Sequence, residues 1–516
     1  MNKDYKIIEN MNDIDPSMFE FVQTEKRITD TKMATKRISY FKDALIRFCR
    51  NKASVAASCI IAILFLFAIF IPMLFKTTYT ETENDINILD YTRLLPKAFE
   101  KGTGFWDGTK KIDDISNVQY YKYLAMEEET GNTVITKYIK EYQKNGKTYH
   151  KARIDSYAML GFAYKTFTPD QYKKLQQYQD ENNIQVIYPV VEELKTFYKN
   201  ANVWYEHDSR GNPILDKQKN LTNIYLTPEY LIETGKGDYK DDYTSKMRVE
   251  GDPGTYKYAN LTGLEGYECR VYLYEYFVYL YGHQPSFVFG TDAKGYDILT
   301  RLAQGARLSF ILSFFVATIN LIIGAIWGSI AGYYGGTTDL IMERITDILG
   351  NVPFMVVTTL FQLHLASKVG PVPSLLFAFV TTGWIGTAST VRMQFYRYKN
   401  QEYIMAARTL GAKDSRLMFK HIFPNALGTI ITSSVLVIPS VIFSESSLTY
   451  LNIVNLEGSG QTSVGTMLAN GREELQYYPH VILFPALFIS LLMITFNLFG
   501  NGLRDAFNPS LRGSED

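Results

Sequence analysis

The sequence predicts an all-α polytopic membrane protein with six transmembrane helices and an α+β extracytoplasmic domain inserted between helices one and two. Three observations predict it. Apolar runs recur that approach or reach the roughly 20 residues a membrane-spanning helix needs. Lys and Arg crowd into some connecting segments and are sparse in others. A polar stretch of 214 residues, 76–289, separates the first apolar run from the rest. The mean hydropathy of −0.10 and the zero net charge would suit a soluble chain, but an average hides the runs.

The first run, SVAASCIIAILFLFAIFIPMLF at 54–75, has 22 residues and no charge. Eleven Lys/Arg lie in 1–53. Its length and the lack of a small-residue cleavage site argue for a retained span rather than a removed signal. Further spans are expected at about 308–332, 352–367, 372–391, 427–451 and 480–502. Pro353, Gln362, His364, Pro373 and Gly383 interrupt the third and fourth, which is tolerated where helices face one another.

Orientation follows from Lys and Arg near the spans. Residues 392–425 carry seven and the tail after 502 carries two, against one each in 368–371 (Lys368) and 452–479 (Arg472). With six spans, both termini then lie in the cytoplasm and 76–289 lies outside. The expected organisation is a cytoplasmic segment 1–53, a first helix 54–75, an extracytoplasmic domain 76–289, and a membrane core 290–511 with a cytoplasmic loop at 398–425.

The 76–289 segment holds 27 Lys/Arg, 31 Asp/Glu and 27 of the 38 tyrosines, a net charge near −4. TPDQYKKLQQYQDEN (168–182) and PVVEELKTFYKN (189–200) read as helices with start signals. RVYLYEYFVYLYG (270–282) alternates like a strand. The tyrosines suit a Tyr-rich core and surface better than a ligand-facing wall. Cys49, Cys59 and Cys269 give no disulfide framework, and no Cys/His cluster suggests a metal site. The triplet Gly146-Lys147-Thr148 lacks the Gly at position 141, which is Glu141, that a phosphate-binding loop needs. No catalytic residue is expected.

Within the loop, EYIMAARTLGAKDSRLMFKHIFPN (402–425) has the features of two short helices. Gly411 stands where a helix end needs a left-handed residue. Asp414 or Ser415 suits an N-cap for the second helix, which Pro424 should stop. Ile404, Ala407, Leu410, Leu417, Met418 and Phe419 are too many apolar residues for a purely solvated loop.

This stretch resembles the EAA loop of bacterial ABC importer permeases, particularly the peptide-transporter family. The pattern there runs close to E-Y-x-x-A-A-R-x-x-G-A, then about ten residues, then I-L-P-N; this chain has Glu402, Tyr403, Ala406, Ala407, Arg408, Gly411 and Ala412, then Ile422, Phe423, Pro424 and Asn425. Met405 stands where that family has a second acid. FGTDAKGYDILTRLAQGARLS (289–309) is similar to the family's lead-in to span two, with Tyr296 in place of its Arg; Thr291 or Asp292 should cap a helix there, with Arg301 and Arg307 at the outer surface. SESSLTYLNI (444–453), SVGTMLANGRE (463–473) and FNLFGNGLRDAFNP (496–509) are similar to later blocks, with Asn501 and Asn508 in place of Asp. Residues 39–75 and FEFV (19–22) resemble its N-terminal region.

The resemblance implies a type I importer permease in the bacterial cell membrane. Its loop would form a coupling helix seated on an ATPase subunit, through Glu402, Tyr403, Ala406, Ala407, Arg408, Gly411, Ala412 and Pro424. ATP and Mg would be bound by two partner ATPase subunits and no cofactor by this chain. A second permease, an extracytoplasmic binding protein, a peptide substrate and membrane lipids are the other partners; nucleic acid is not. Nickel is the alternative substrate, and a membrane-anchored extracellular binding or adhesion module the alternative class. A secondary transporter would need inverted repeats and intramembrane ion ligands, and neither is visible. Gly324, Gly328 and Gly332 mark a close helix-packing face. Glu445 and His364, ionisable residues within expected spans, are the pathway candidates.

Overall fold

A computed structural model describes residues 40–74, 86–99, 103–188, 201–202, 214–215, 217, 258–262, 266–457 and 460–507. The helix expected at 189–200, FEFV at 19–22 and Asn508 lie outside them. The described chain is mostly helical. Five helices are long and apolar enough to cross a membrane: Lys52–Leu74, Ile298–Tyr334, Pro371–Tyr398, Asp414–Tyr450 and His480–Phe507. A short helix, Tyr40–Arg50, precedes the first of them.

The third expected span differs. Only Phe354–His364, 11 residues, is helical there, followed by Ala366–Val369. Eleven residues rise about 17 Å, too little for a hydrocarbon core of about 30 Å. A further helix, Gly336–Gly350, precedes it, unforeseen because Asp339, Glu343, Arg344 and Asp347 mask its apolar face. The two helices run in order along Pro371–Tyr398. Arg392 donates to Asp339 through Nε at 2.5 Å and Nη2 at 2.7 Å. A Cβ added to Gly350 would lie 3.8 Å from Ile385. Phe354 and Phe379 are 5.0 Å apart, and Ser374 Oγ donates to the Phe361 carbonyl at 2.7 Å.

Ile298–Tyr334 starts earlier than expected. Its N-cap is Asp297, which accepts from the Leu299 and Thr300 amides, rather than Thr291 or Asp292. Thr291 is instead a buried tie, accepting from the Leu94 amide and donating to the Tyr91 carbonyl. Asp292 closes a turn by accepting from the Lys294 and Tyr296 amides. Arg307 is exposed, and Arg301 is drawn onto Glu457 at 3.1 Å. Further along, Gly324, Gly328 and Gly332 lie against 387–395. A Cβ at Gly324 would meet Thr387 at 2.7 Å, and one at Gly332 would meet Phe395 at 2.6 Å. The glycine face therefore serves packing inside this chain.

Pro424 does not stop the second loop helix. Asp414–Arg416 continues through a π-helical turn, Leu417–Ile422, into Phe423–Val435 and Val437–Tyr450. A proline inside a helix removes one amide donor and crowds the carbonyl four residues back; the wider turn gives that ring room.

Between the first two long helices lie two small antiparallel sheets. Strands β1 (Thr109–Ser116), β2 (Ile135–Lys144) and β3 (Lys147–Asp155) order as β1-β3-β2. Asn145 and Gly146, at φ 54° and 71°, form the tight β2–β3 turn that such a pair favours, so Gly146-Lys147-Thr148 is a hairpin. In the second sheet β7 (Tyr267–Tyr272) pairs with β4 (Phe162–Phe167), β5 (Ile187–Tyr188) and β6 (Ala259–Leu261). The expected helix forms at Pro169–Asn182 with a Thr168–Gln171 capping box. The expected 270–282 strand is right only for 270–272: after Tyr272 the chain turns into helix Leu273–Tyr281, closed by Gly282 at φ 73°. Tyr91, Tyr157, Tyr188 and Tyr272 pack inside with Val271 and Phe277, so these tyrosines build a core. A buried ion pair, Arg270 Nη1 to Glu129 Oε1 at 2.5 Å, spans it.

This region is fastened to the helical part. Arg93 donates to both Glu474 carboxylate oxygens at 2.9 and 2.7 Å. Lys110 Nζ donates to the Tyr477 carbonyl at 2.6 Å. Trp106 stacks on Phe289 and Phe484, whose rings lie 4.1 Å apart.

Candidate functional site

The loop between Pro371–Tyr398 and the next long helix is a folded knob. Glu402–Thr409 is helical, with Glu402 in its first turn, where a negative charge favours the helix dipole. The chain then reverses at Gly411, at φ +83°. There the Gly411 amide bonds the Arg408 carbonyl and the Ala412 amide the Ala407 carbonyl.

Helical spacing divides the apolar residues. Ile404, Leu417, Met418 and Ile422 are buried with Val391, Phe395, Ala426 and Ile430, and Ala407 and Ala412 pack against that cluster. Met405, Leu410 and Phe419 point outward; Leu410 is 88% exposed. The sequence marked Leu410 and Phe419 as apolar but could not tell root from surface, since both sets share one short segment.

A polar pivot joins the knob to the C-terminal end of Ile298–Tyr334. The Tyr333 hydroxyl donates to Asp414 Oδ1 at 2.5 Å, and Arg408 Nη2 donates to the same hydroxyl at 3.3 Å. Asp414 is therefore a tie rather than the N-cap, which is Lys413 without a side-chain bond. Lys399 Nζ donates to the Gly332 carbonyl at 2.9 Å, and Asn425 Nδ2 to the Tyr403 hydroxyl at 3.2 Å. Tyr333 and Lys399 were not singled out by sequence, because their partners are 81 and 67 positions away.

Of the eight loop residues singled out, Glu402, Tyr403, Ala406, Arg408, Gly411 and Pro424 are exposed, while Ala407 and Ala412 are half-buried. Glu445 is elsewhere and 1% exposed. It accepts from Ser309 at 3.1 Å and Thr449 at 3.1 Å, with Ser446 and Ser463 completing a ring of hydroxyls. That ring ties Ile298–Tyr334 to Val437–Tyr450 and Val464–Glu474. His364 is exposed at the last residue of its helix. Nothing brings His364, Glu445 and the loop together.

Two family models match. "N-terminal TM domain of oligopeptide transport permease C" covers 39–96, and "Binding-protein-dependent transport system inner membrane component" covers 321–513. The chain is 46% identical over 224 residues to the oligopeptide transport system permease protein OppC of Bacillus subtilis (strain 168), covering 43% of this chain and 72% of the relative. It is 40% identical to that organism's dipeptide transport system permease protein DppC, covering 43% and 69%. The OppC of Escherichia coli (strain K12) is 36% identical, covering 43% and 72%. A membrane chain with these spans, this knob and this degree of identity belongs to the oligopeptide and dipeptide permease C family of binding-protein-dependent ABC transport systems.

Proposed function

We propose that the chain is one of two permease subunits of an ATP-driven importer for oligopeptides or dipeptides, coupled to its ATPases through residues 402–425. The observation that carries this reading is the knob itself. It has a buried apolar root and an exposed apolar surface, the signature of a docking face, and it stands between two long apolar helices. ATP and Mg are bound by two ATPase subunits; a second, different permease completes the pathway; a binding protein delivers the peptide on the far side. Both termini and the loop face the cytoplasm, and 76–289 faces out, above the pathway. Chemistry on ATP is assigned to the partners.

Gly336–Gly350 and Phe354–His364 together make the sixth crossing, kinked at Pro353. Their ordered pairing along Pro371–Arg392 supports this, since 21 residue steps span roughly 32 Å, one hydrocarbon thickness.

Proline cannot adopt the positive φ of Gly411. Gly411→Pro in the assembled transporter should abolish peptide uptake and peptide-stimulated ATP hydrolysis while membrane insertion persists. Normal uptake by that variant would sink the coupling role. Uptake of nickel but not peptide would reassign the substrate.

A further inference from the structure

In the loop that leads into β1, two large rings point away from the protein. Phe105 is 67% exposed and Phe99 is 53% exposed. The backbone around them is tied down. Lys97 and Asp107 form an antiparallel bridge, and the Ala98 and Phe99 amides both donate to the Trp106 carbonyl, at 2.8 and 3.1 Å. The Gly104 amide donates to Asp107 Oδ2 at 2.8 Å, and Arg153 Nη2 to the Gly104 carbonyl at 2.7 Å. Exposed rings of this size on a fixed loop mark a surface for a protein or a membrane.

The position of the loop decides between the two. Phe105 meets Trp106 edge-on at 5.5 Å, and Trp106 stacks on Phe289 and Phe484 at 6.1 and 5.7 Å. The indole N–H of Trp106 donates to the Val288 carbonyl, which satisfies the polar end of that ring. A row of rings thus runs from Phe105 to the second turn of His480–Phe507. That helix lies antiparallel to Lys52–Leu74 and the short helix before it: Phe48 meets Phe499 at 5.4 Å, and Phe67 meets Phe488 at 6.0 Å. Phe484 is one turn from Phe488, so it comes level with the last turn of Lys52–Leu74, where Phe70, Met73 and Leu74 are exposed. Residues 53–74 carry no charge, and the buried ones form one stripe, Ser54, Ala57, Leu64, Ala68 and Pro72. A helix apolar all round and covered along one stripe turns the rest to lipid. The loop therefore stands where hydrocarbon gives way to water, the depth at which Trp and other amphipathic rings collect.

We propose that Phe99, Phe105 and Trp106 dip into the lipid leaflet around the ends of Lys52–Leu74 and His480–Phe507, and so moor the sheet-bearing region to the membrane. The partner is the boundary between phospholipid headgroups and acyl chains. The mooring depends on the long helices lying in a bilayer and not on what the chain transports.

The test uses the full chain assembled with its partner subunits in phosphatidylcholine vesicles. Cys49 and Cys59 are removed as Cys49→Ser and Cys59→Ala; Cys269 is buried and stays. A bimane label is attached at Phe105→Cys, at Phe99→Cys or at Asn145→Cys, which lies in the β2–β3 turn. Bromine on the upper acyl carbons of the lipid quenches a label in the boundary, and iodide in the buffer quenches one in water. The Phe105→Cys label should lose about half or more of its emission to brominated lipid, as for a group roughly 5–10 Å into the boundary, and little to iodide. The Asn145→Cys label should do the reverse. All three positions are exposed, and Phe99→Cys repeats the test if the Phe105→Cys chain does not assemble. Quenching by iodide and not by lipid at Phe105→Cys puts the loop in water and overturns the mooring. Protection from both quenchers gives the face to a protein partner and overturns it equally. Equal lipid quenching at Asn145→Cys lays the whole region on the bilayer and removes the special role of the loop.

Discussion

The described residues between 86 and 290 and the loop at 402–425 both attach to the long apolar helices, but in opposite ways. The first keeps most of its buried tyrosines inward and fixes itself to the helical part by a bidentate ion pair, a lysine and a three-ring aromatic stack. The second buries only four large loop residues at its root and leaves Met405, Leu410 and Phe419 outside. Inward apolar residues make a scaffold. Outward ones, on an element already rooted, make a surface that awaits a partner.

That contrast can be broken in order of expected effect on stability. Arg270 is fully buried and donates to both Glu129 carboxylate oxygens and to the Ala201 carbonyl, and breaking a buried pair by removing one partner typically costs about 3–5 kcal/mol. Arg270→Ala should therefore raise hydrogen exchange across β4 and β7, and unchanged protection there would show that the ion pair does not hold the core. Ile404→Ala should cost about 2–5 kcal/mol by opening a cavity in the root. Limited proteolysis should then cut within 402–425, and resistance equal to wild type would mean that the knob is held some other way.

The Arg93–Glu474 tie is smaller, about 0–1 kcal/mol, because Arg93 is partly exposed. Its hydrogen bond to Arg93 holds the Glu474 carboxyl below its ordinary value. The contribution is therefore complete above the usual carboxylate range and fades as pH falls through the lowered value. Glu474→Gln should abolish that acid-side change in melting temperature; an identical pH profile in both chains would remove the tie from the account. Leu410→Asp should change stability least, within about 0.5 kcal/mol, since the site is open. It should nonetheless uncouple uptake from ATP hydrolysis, and full coupling would refute the idea that Leu410 is part of the docking face.

The sequence made much of this readable and missed the rest for identifiable reasons. Long uncharged runs show where Lys52–Leu74 and His480–Phe507 fall, and Gly411 announces its left-handed turn. Tyr272 is where legibility stops in the tyrosine run, because a segment apolar at nearly every position satisfies periods of 2 and 3.6 alike. The helix at Gly336–Gly350 was hidden because acidic residues interrupt its apolar pattern, and Pro353 divides it from the apolar run expected at 352–367. Asp339 meets Arg392 across 53 positions, a pairing that local spacing does not encode. Asp297 outcompeted Thr291 and Asp292 as the cap because those two were engaged elsewhere, which only the fold decides.

The π-helical turn at Leu417–Ile422 has a geometric consequence. One extra residue in a helix of 3.6 residues per turn re-phases everything beyond it by roughly 100° about the axis. Phe419 and the hydroxyls of Ser433 and Ser440 ride on a single rod, Asp414–Tyr450. Their relative bearing is set by that insertion, like the offset between two cams on one shaft.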